Sequence, residues 1–154
     1  MANIKKYGLG ILLPLAAGGL SAFLTGDFGG VYESLRQPPL SPPAIVFPVV
    51  WSVLYLLMGL SSVWIYNKND PAGSEALTLY GVQLAVNVLW PLLFFKLEWR
   101  LIAFFWLLLL FVLVTDMVVK FMRIDPKAGW INLPYLGWLL FAAYLNLSTY
   151  FLNR

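Results

Sequence analysis

Apolar residues follow one another along this chain in five stretches of about twenty residues, separated by shorter polar segments. A helix needs about 20 apolar residues to cross the hydrocarbon core of a bilayer. The stretches therefore predict an all-α integral membrane protein with five transmembrane helices. We place these helices at about residues 4–25, 44–66, 76–95, 101–122 and 130–152.

The segments between the apolar stretches differ in length. Three are short and hold turn residues and charges, so neighbouring helices should run antiparallel in a single domain over residues 1–154. The first connection, about residues 26–43, is longer and contains the run "QPPLSPP". Long loops in compact domains are often lids, and proline keeps such a segment stiff. We expect this loop to be a lid over the bundle.

Composition supports the membrane assignment. The chain is 61% hydrophobic and 11% charged, whereas soluble domains are about 25% charged. The length of the first stretch, and Pro14 within it, favour a retained span over a cleaved signal peptide. The loops on the N-terminal side of the membrane carry six Lys and Arg residues, and those on the opposite side carry four. Because cytoplasmic loops are richer in Lys and Arg, this difference predicts that the N-terminus lies inside.

The chain contains no cysteine and no histidine, and this limits the reactions and ligands that it can support. Without cysteine or histidine, no disulfide framework and no metal site are expected. No basic run indicates a nucleic-acid partner, and no nucleophile-and-base pair or phosphate loop indicates an enzyme. Side-chain ligation of haem is disfavoured, but a metal-free porphyrin or another flat apolar ligand is not.

Three spans carry aromatic and polar residues at helical spacing. The members of these stripes are Pro48, Trp51, Tyr55 and Ser62 in the second span, Tyr80, Gln83, Asn87 and Trp90 in the third, and Tyr135, Trp138, Ala142, Asn146 and Thr149 in the fifth. The amides fit two explanations. They hold neighbouring helices together by hydrogen bonds, or they line a shared pocket for a flat, rigid ligand, with Trp51 and Trp138 as stacking walls.

Two further patterns have simple explanations. Gly18, Ala22 and Gly26 recur every four residues in the first span, which is typical of close helix packing or, less often, of a dimer face. The terminal "LSTYFLNR" fits a loose sterol-contact pattern through Leu147, Tyr150 and Arg154. The same residues also fit a helix end anchored at the membrane surface.

Three blocks of the chain resemble the tryptophan-rich sensory protein and translocator protein family, also called peripheral-type benzodiazepine receptors. The blocks are "QPPLSPPAIVFPVVWSVLYLLMG", "QLAVNVLWPLLFF" and "LPYLGWLLFAAYLN", and their order and spacing agree with that family. The resemblance implies a five-helix bundle, usually a homodimer, in a bacterial cell membrane or a mitochondrial outer membrane. It also implies binding of porphyrins, particularly protoporphyrin IX, and in some members of sterols and benzodiazepine-site drugs, with no obligatory cofactor.

The resemblance also assigns site residues. Together with the stripes, it gives a predicted ligand-binding set of Tyr32, Pro42, Pro43, Trp51, Tyr55, Gln83, Asn87, Trp90, Trp138, Ala142, Leu145 and Asn146. In this hypothesis a tetrapyrrole stacks on Trp51 and Trp138, Asn87 and Asn146 orient it, and the first loop closes over it.

Two alternatives to a receptor remain open. One is a transporter of porphyrins or other lipophiles, although the chain has no internal repeat of the kind many transporters show. The other, implied for some family members, is light-dependent porphyrin degradation through Trp51 and Trp138. The chain departs from the family at Leu40, where many members have a tryptophan in the loop.

Overall fold

The computed structural model describes residues 2–154, with side chains from Ile4 onward, and these residues form helices and no strand. The helices are α1 (Ala2–Thr25), α2 (Phe28–Ser34), α3 (Val46–Lys68), α4 (Gly73–Pro91), α5 (Arg100–Ile124), α6 (Pro126–Trp130) and α7 (Leu133–Leu152); a π-helical segment, Leu92–Lys96, continues α4.

Five of these segments are long and apolar enough to cross a membrane: α1, α3, α4 with its π-helical segment, α5, and α6 with α7. This confirms the predicted fold class and defines an integral, multi-pass membrane protein. The helices end within a few residues of the predicted boundaries. The short helices α2 and α6, which lie in the connections, were not predicted as separate elements.

The core is built around α5. Its inward positions recur every three or four residues and are almost fully buried against α4 and α7, as expected for one face of a helix. These positions are Ala103, Leu107, Leu110, Val114, Met117 and Phe121. The first helix packs mainly on α3 and is the least buried of the five spans.

Glycines bring α1 and α3 into backbone contact. A Cβ atom placed on Gly59 would lie 2.7 Å from the carbonyl oxygen of Gly10 and 2.8 Å from the Cα of Ile11. About two turns further along α1, Gly18 lies against the ring of Tyr55. A Cβ atom placed on Gly18 would overlap that ring. Small residues allow this approach in a membrane, where helices associate by packing. The packing explanation for Gly18 is therefore the one that the structure shows.

Pro91 marks the end of regular α-helix in α4. Because proline has no N–H, it cannot donate to the carbonyl one turn earlier, and the chain widens into the π-helical segment. Two side chains from neighbouring helices donate to carbonyl groups in the turn before it: Ser21 Oγ to Val88 at 2.9 Å and Trp106 Nε1 to Val86 at 2.8 Å. The break is thus tied to both α1 and α5.

The first loop is held to the end of α7 by its main chain. The side chain of Asn153 accepts from the Arg36 amide at 2.8 Å and donates to the Arg36 carbonyl at 3.0 Å. Tyr144 Oη donates to the Pro39 carbonyl at 2.8 Å. We call these three hydrogen bonds the latch. Between them and α3, Leu40 has a left-handed φ of 69° and an exposed side chain.

Candidate ligand-binding site

A cavity of about 530 Å³ lies between α1, the first half of α3 and the end of α4, next to the start of α2. Ligand pockets commonly have volumes of about 300–1,000 Å³. Most of its surface is apolar. It is lined by Leu15, Gly18, Gly19, Ser21, Ala22, Thr25, Gly26, Asp27, Phe28, Gly29, Phe47, Pro48, Trp51, Ser52, Tyr55, Trp90, Pro91 and Phe95.

Aromatic rings form the walls of this cavity. Trp51 is stacked on Tyr55, with ring centroids 5.6 Å apart and planes 28° apart. Trp90 meets Phe95 edge-on at 6.1 Å, and Phe28 of α2 meets Phe95 edge-on at 4.9 Å. The proline break in α4 places Trp90 and Phe95 on the same side of the cavity, although a regular α-helix would set them 140° apart.

The polar groups of the lining are few, and most are already engaged. Thr25 Oγ1 donates to the Ser21 carbonyl at 2.7 Å, and Ser52 Oγ donates to the Pro48 carbonyl at 2.7 Å. Asp27 caps α2 by accepting from the Gly30 amide at 3.0 Å. The cavity therefore offers a ligand large apolar faces and a small number of hydroxyl and carboxylate oxygens.

A chain of buried hydrogen bonds lies behind the Tyr55 ring. Tyr55 Oη donates to Asn87 Oδ1 at 2.7 Å, and Asn87 Nδ2 donates to Tyr135 Oη at 2.6 Å. Tyr135 Oη in turn donates to Gln83 Oε1 at 2.9 Å, and Gln83 Nε2 donates to the sulfur of Met58 at 3.6 Å. These bonds connect α3, α4 and α7. Asn87 and Gln83 thus bind neighbouring helices and are absent from the cavity lining.

A second pair of bonds fixes Trp90. Its Nε1 donates to Asn146 Oδ1 at 3.1 Å, and Asn146 Nδ2 donates to the Arg100 carbonyl at 2.7 Å. Asn146 thereby links α4, α5 and α7 and orients an indole that lines the cavity. Like Asn87, it supports a wall from behind.

Three predicted residues on α7 do not line the cavity. Ala142 and Leu145 are buried in the bundle. Trp138 packs edge-on against Phe47 at 5.8 Å, and Phe47 does line the cavity. Trp138 Nε1 is buried and has no hydrogen-bond partner among residues 4–154. Trp138 therefore contacts the site through Phe47.

The predicted loop residues lie above Phe47. Tyr32 packs edge-on against Phe47 at 5.0 Å and donates its hydroxyl to the Pro42 carbonyl at 2.7 Å. Burial raises the pKa of Tyr32 above its ordinary value, so the hydroxyl remains a donor to a higher pH than that of a free tyrosine. Pro42 is half-buried and Pro43 is exposed. These residues close the loop over the aromatic cluster without lining the cavity themselves.

The structure thus brings Trp51, Tyr55 and Trp90 together at the cavity and places the other predicted residues around it. Sequence reasoning missed the contributions of α1 and α2, particularly Ser21 and Phe28. The repeat of small residues at Gly18, Ala22 and Gly26 was the signal available in the sequence. Small side chains allow two helices to pack closely where they touch, and they leave empty space where the helices do not touch.

The sterol-pattern residues lie apart from the cavity, at the end of α7. Leu147 and Tyr150 are half-buried, and the Arg154 guanidinium lies 5.1 Å from the centroid of the Phe151 ring. This arrangement resembles a helix end anchored by an aromatic residue and a cation.

Five spanning helices, three of which line an aromatic cavity, define a polytopic helical membrane protein with a candidate ligand site. The chain belongs to the TspO/MBR family, whose profile matches residues 10–152.

Several relatives are similar to this chain over most of their length. Tryptophan-rich protein TspO of Archaeoglobus fulgidus is 32% identical over 152 residues, covering 98% of this chain and 99% of the relative. Translocator protein of Bos taurus is 37% identical, covering 88% and 82%. Protein CrtK of Rhodobacter capsulatus is 35% identical, covering 81% and 79%. Membership of this family supports a membrane receptor or sensor role.

Proposed function

We propose that the protein is a membrane receptor for a tetrapyrrole such as protoporphyrin IX. The observation that carries this proposal is a membrane-embedded cavity whose walls are the flat rings of Trp51, Tyr55 and Trp90, with few polar groups between them. Such walls suit a planar, largely apolar macrocycle.

The energetics follow from ring contact and burial. An aromatic pair contributes about 0.5–1.5 kcal/mol beyond the burial of its area. Trp51 and Trp90 are each held in place before a ligand arrives, Trp51 by stacking on Tyr55 and Trp90 by its bond to Asn146. Because these walls are already ordered, binding loses little side-chain entropy.

In this proposal the amides act indirectly. Asn87 and Asn146 orient Tyr55 and Trp90, and Trp138 supports Phe47 beneath the first loop. The amides and Trp138 that the family resemblance marks would then act by holding the aromatic walls in place. Direct contact with the ligand would be made by Trp51 and Trp90.

Titration of purified protein with protoporphyrin IX, followed by the porphyrin absorbance band, tests the proposal. We expect saturable binding, weakened about 2–10-fold by Trp51→Phe and by Trp90→Phe, because phenylalanine offers a smaller ring face for stacking and lacks the N–H that fixes Trp90. Trp130→Phe, at an exposed indole outside the lining, is the matched control and should leave affinity unchanged.

Two outcomes would contradict the proposal. Absence of saturable binding by the unmodified protein would exclude a tetrapyrrole receptor. Unchanged affinity in both Trp51→Phe and Trp90→Phe would place the ligand elsewhere in the bundle. The same titration with haem and with a sterol establishes which class of flat ligand is preferred.

A further inference from the structure

The cavity has an opening between α1 and α3. Gly19 and Ala22 of α1 and Pro48 and Ser52 of α3 all line it, and all four are exposed at the protein surface. We call this opening, defined by those four residues, the window.

The window begins where the contact between the two helices ends. Gly18 touches the Tyr55 ring, which closes the gap at that level. A Cβ placed on the next residue, Gly19, would meet no heavy atom within 4 Å. From there toward the end of α1, Ser21, Ala22 and Thr25 line the cavity.

The residues flanking the window are apolar and exposed. Phe23 on α1 is 83% exposed and Val49 on α3 is 57% exposed, and Leu20 and Val53 are also exposed. All four side chains are apolar and lie within spanning helices. A molecule dissolved among lipid chains would therefore meet the window directly.

The side of the cavity beneath the first loop is packed instead. Phe28 lies edge-on against Phe47 at 5.7 Å, and Tyr32 covers the same ring. The latch from Asn153 and Tyr144 holds the loop above them. Passage under the loop requires these contacts to break, whereas passage through the window requires no bond of the described structure to break.

We propose that the ligand reaches the cavity from within the bilayer, through the window, with the first loop closed. This rests on the proposed receptor function and deepens it, because it assigns the ligand to the class of flat amphiphiles that partition into membranes. The window would favour that class, because its rim is formed within two apolar spanning helices.

Blocking variants can test this without disturbing the walls. Gly19→Phe adds a ring where the structure has open space, and Ser52→Phe adds one from the facing helix. Gly8→Phe is the matched control, since Gly8 lies on the same helix in open space and outside the cavity lining. Each variant is reconstituted in vesicles preloaded with protoporphyrin IX, and association and dissociation rates are measured.

We expect Gly19→Phe and Ser52→Phe to slow association and dissociation together, by at least about fivefold, because a blocked path raises the same barrier in both directions. Gly8→Phe should match the unmodified protein in both rates. Unchanged rates in both window variants would overturn the proposal. Faster dissociation with normal association would also overturn it, because the added ring would then occupy the site and not the path.

A second readout separates the window from the receptor function. In vesicles of lipids with brominated acyl chains, a tryptophan that lipid chains can reach loses fluorescence. The quenching of Trp51 is obtained by subtracting the signal of Trp51→Phe from that of the unmodified protein. We expect this quenching to fall when Gly19→Phe is introduced and to persist when Gly8→Phe is introduced. If Trp51 is not quenched in the unmodified protein, the window is closed to lipid. If quenching is seen but no porphyrin binds, the receptor proposal alone fails.

Discussion

At the scale of single residues, the hydroxyl of Tyr135 occupies the centre of the buried polar chain. It accepts from Asn87 and donates to Gln83, so two amides from α4 depend on one group from α7. Buried polar groups in a membrane are costly when they lack a partner, because no water replaces the missing bond.

Tyr135→Phe keeps the ring and removes this hydroxyl. We expect the free energy of unfolding to fall by about 1–2 kcal/mol, since the Asn87 donor and the Gln83 acceptor both lose their partner. Unfolding by a denaturing detergent measures this. Tyr66→Phe, at an exposed ring, is the control and should be neutral. Equal stability of the two variants would mean that the amides find other partners.

At the scale of helices, the crossing of α1 and α3 sets the depth at which the cavity begins. Gly59 and Gly10 meet backbone to backbone, and Gly18 and Tyr55 meet a little further along. A Cβ atom added at Gly59 must push α1 away, since its two nearest neighbours there are main-chain atoms, which cannot rotate aside.

Gly59→Ala should therefore destabilise the protein by about 1–3 kcal/mol, the usual cost of overpacking. Gly137→Ala on α7 adds a methyl group where no heavy atom lies within 4 Å. It should be neutral or stabilising by up to about 1 kcal/mol, since alanine favours helix more than glycine does. Detergent unfolding of both variants gives the comparison. A cost at Gly137 equal to that at Gly59 would exclude the crossing as the cause.

The five spans and three of the six wall aromatics, Trp51, Tyr55 and Trp90, were predictable from sequence because hydropathy and three-to-four spacing depend on residues close in the chain. The partners of the amides were not. Whether Asn87 meets Tyr135 or a ligand depends on the relative rotation and height of α4 and α7, which no local pattern fixes. For the same reason the window could not be predicted: it arises from how α1 leans on α3.

At the scale of the whole molecule, the chain end holds the loop that follows the first span. Asn153 bonds both main-chain groups of Arg36, and Tyr144 bonds the carbonyl of Pro39. Arg36 and Asn153 are 117 positions apart in the sequence, and Pro39 and Tyr144 are 105 positions apart. The hydrogen bonds join both pairs at one surface of the bundle.

Asn153→Ala should loosen the loop locally. Loss of a typical hydrogen bond costs about 0.5–1.5 kcal/mol, so the Arg36 amide should exchange its hydrogen roughly 2–10-fold faster. Hydrogen exchange followed by mass spectrometry checks this. Asn67→Ala, at an exposed position outside the latch, is the control. Unchanged exchange at Arg36 would mean that packing by α2 alone keeps the loop closed.

The latch and the Tyr32 bond reach the loop only through main-chain atoms: the amide and carbonyl of Arg36 and the carbonyls of Pro39 and Pro42. At positions 36, 39 and 42 these bonds therefore do not depend on the side chain that the loop carries, whereas Phe28 and Tyr32 hold the loop through their rings. The exposed Leu40, where many relatives have tryptophan, makes none of these bonds. Exposed positions such as Leu40 are for that reason suitable for grafting new sequences, because the anchorage of the loop lies in its main chain and in two aromatic side chains.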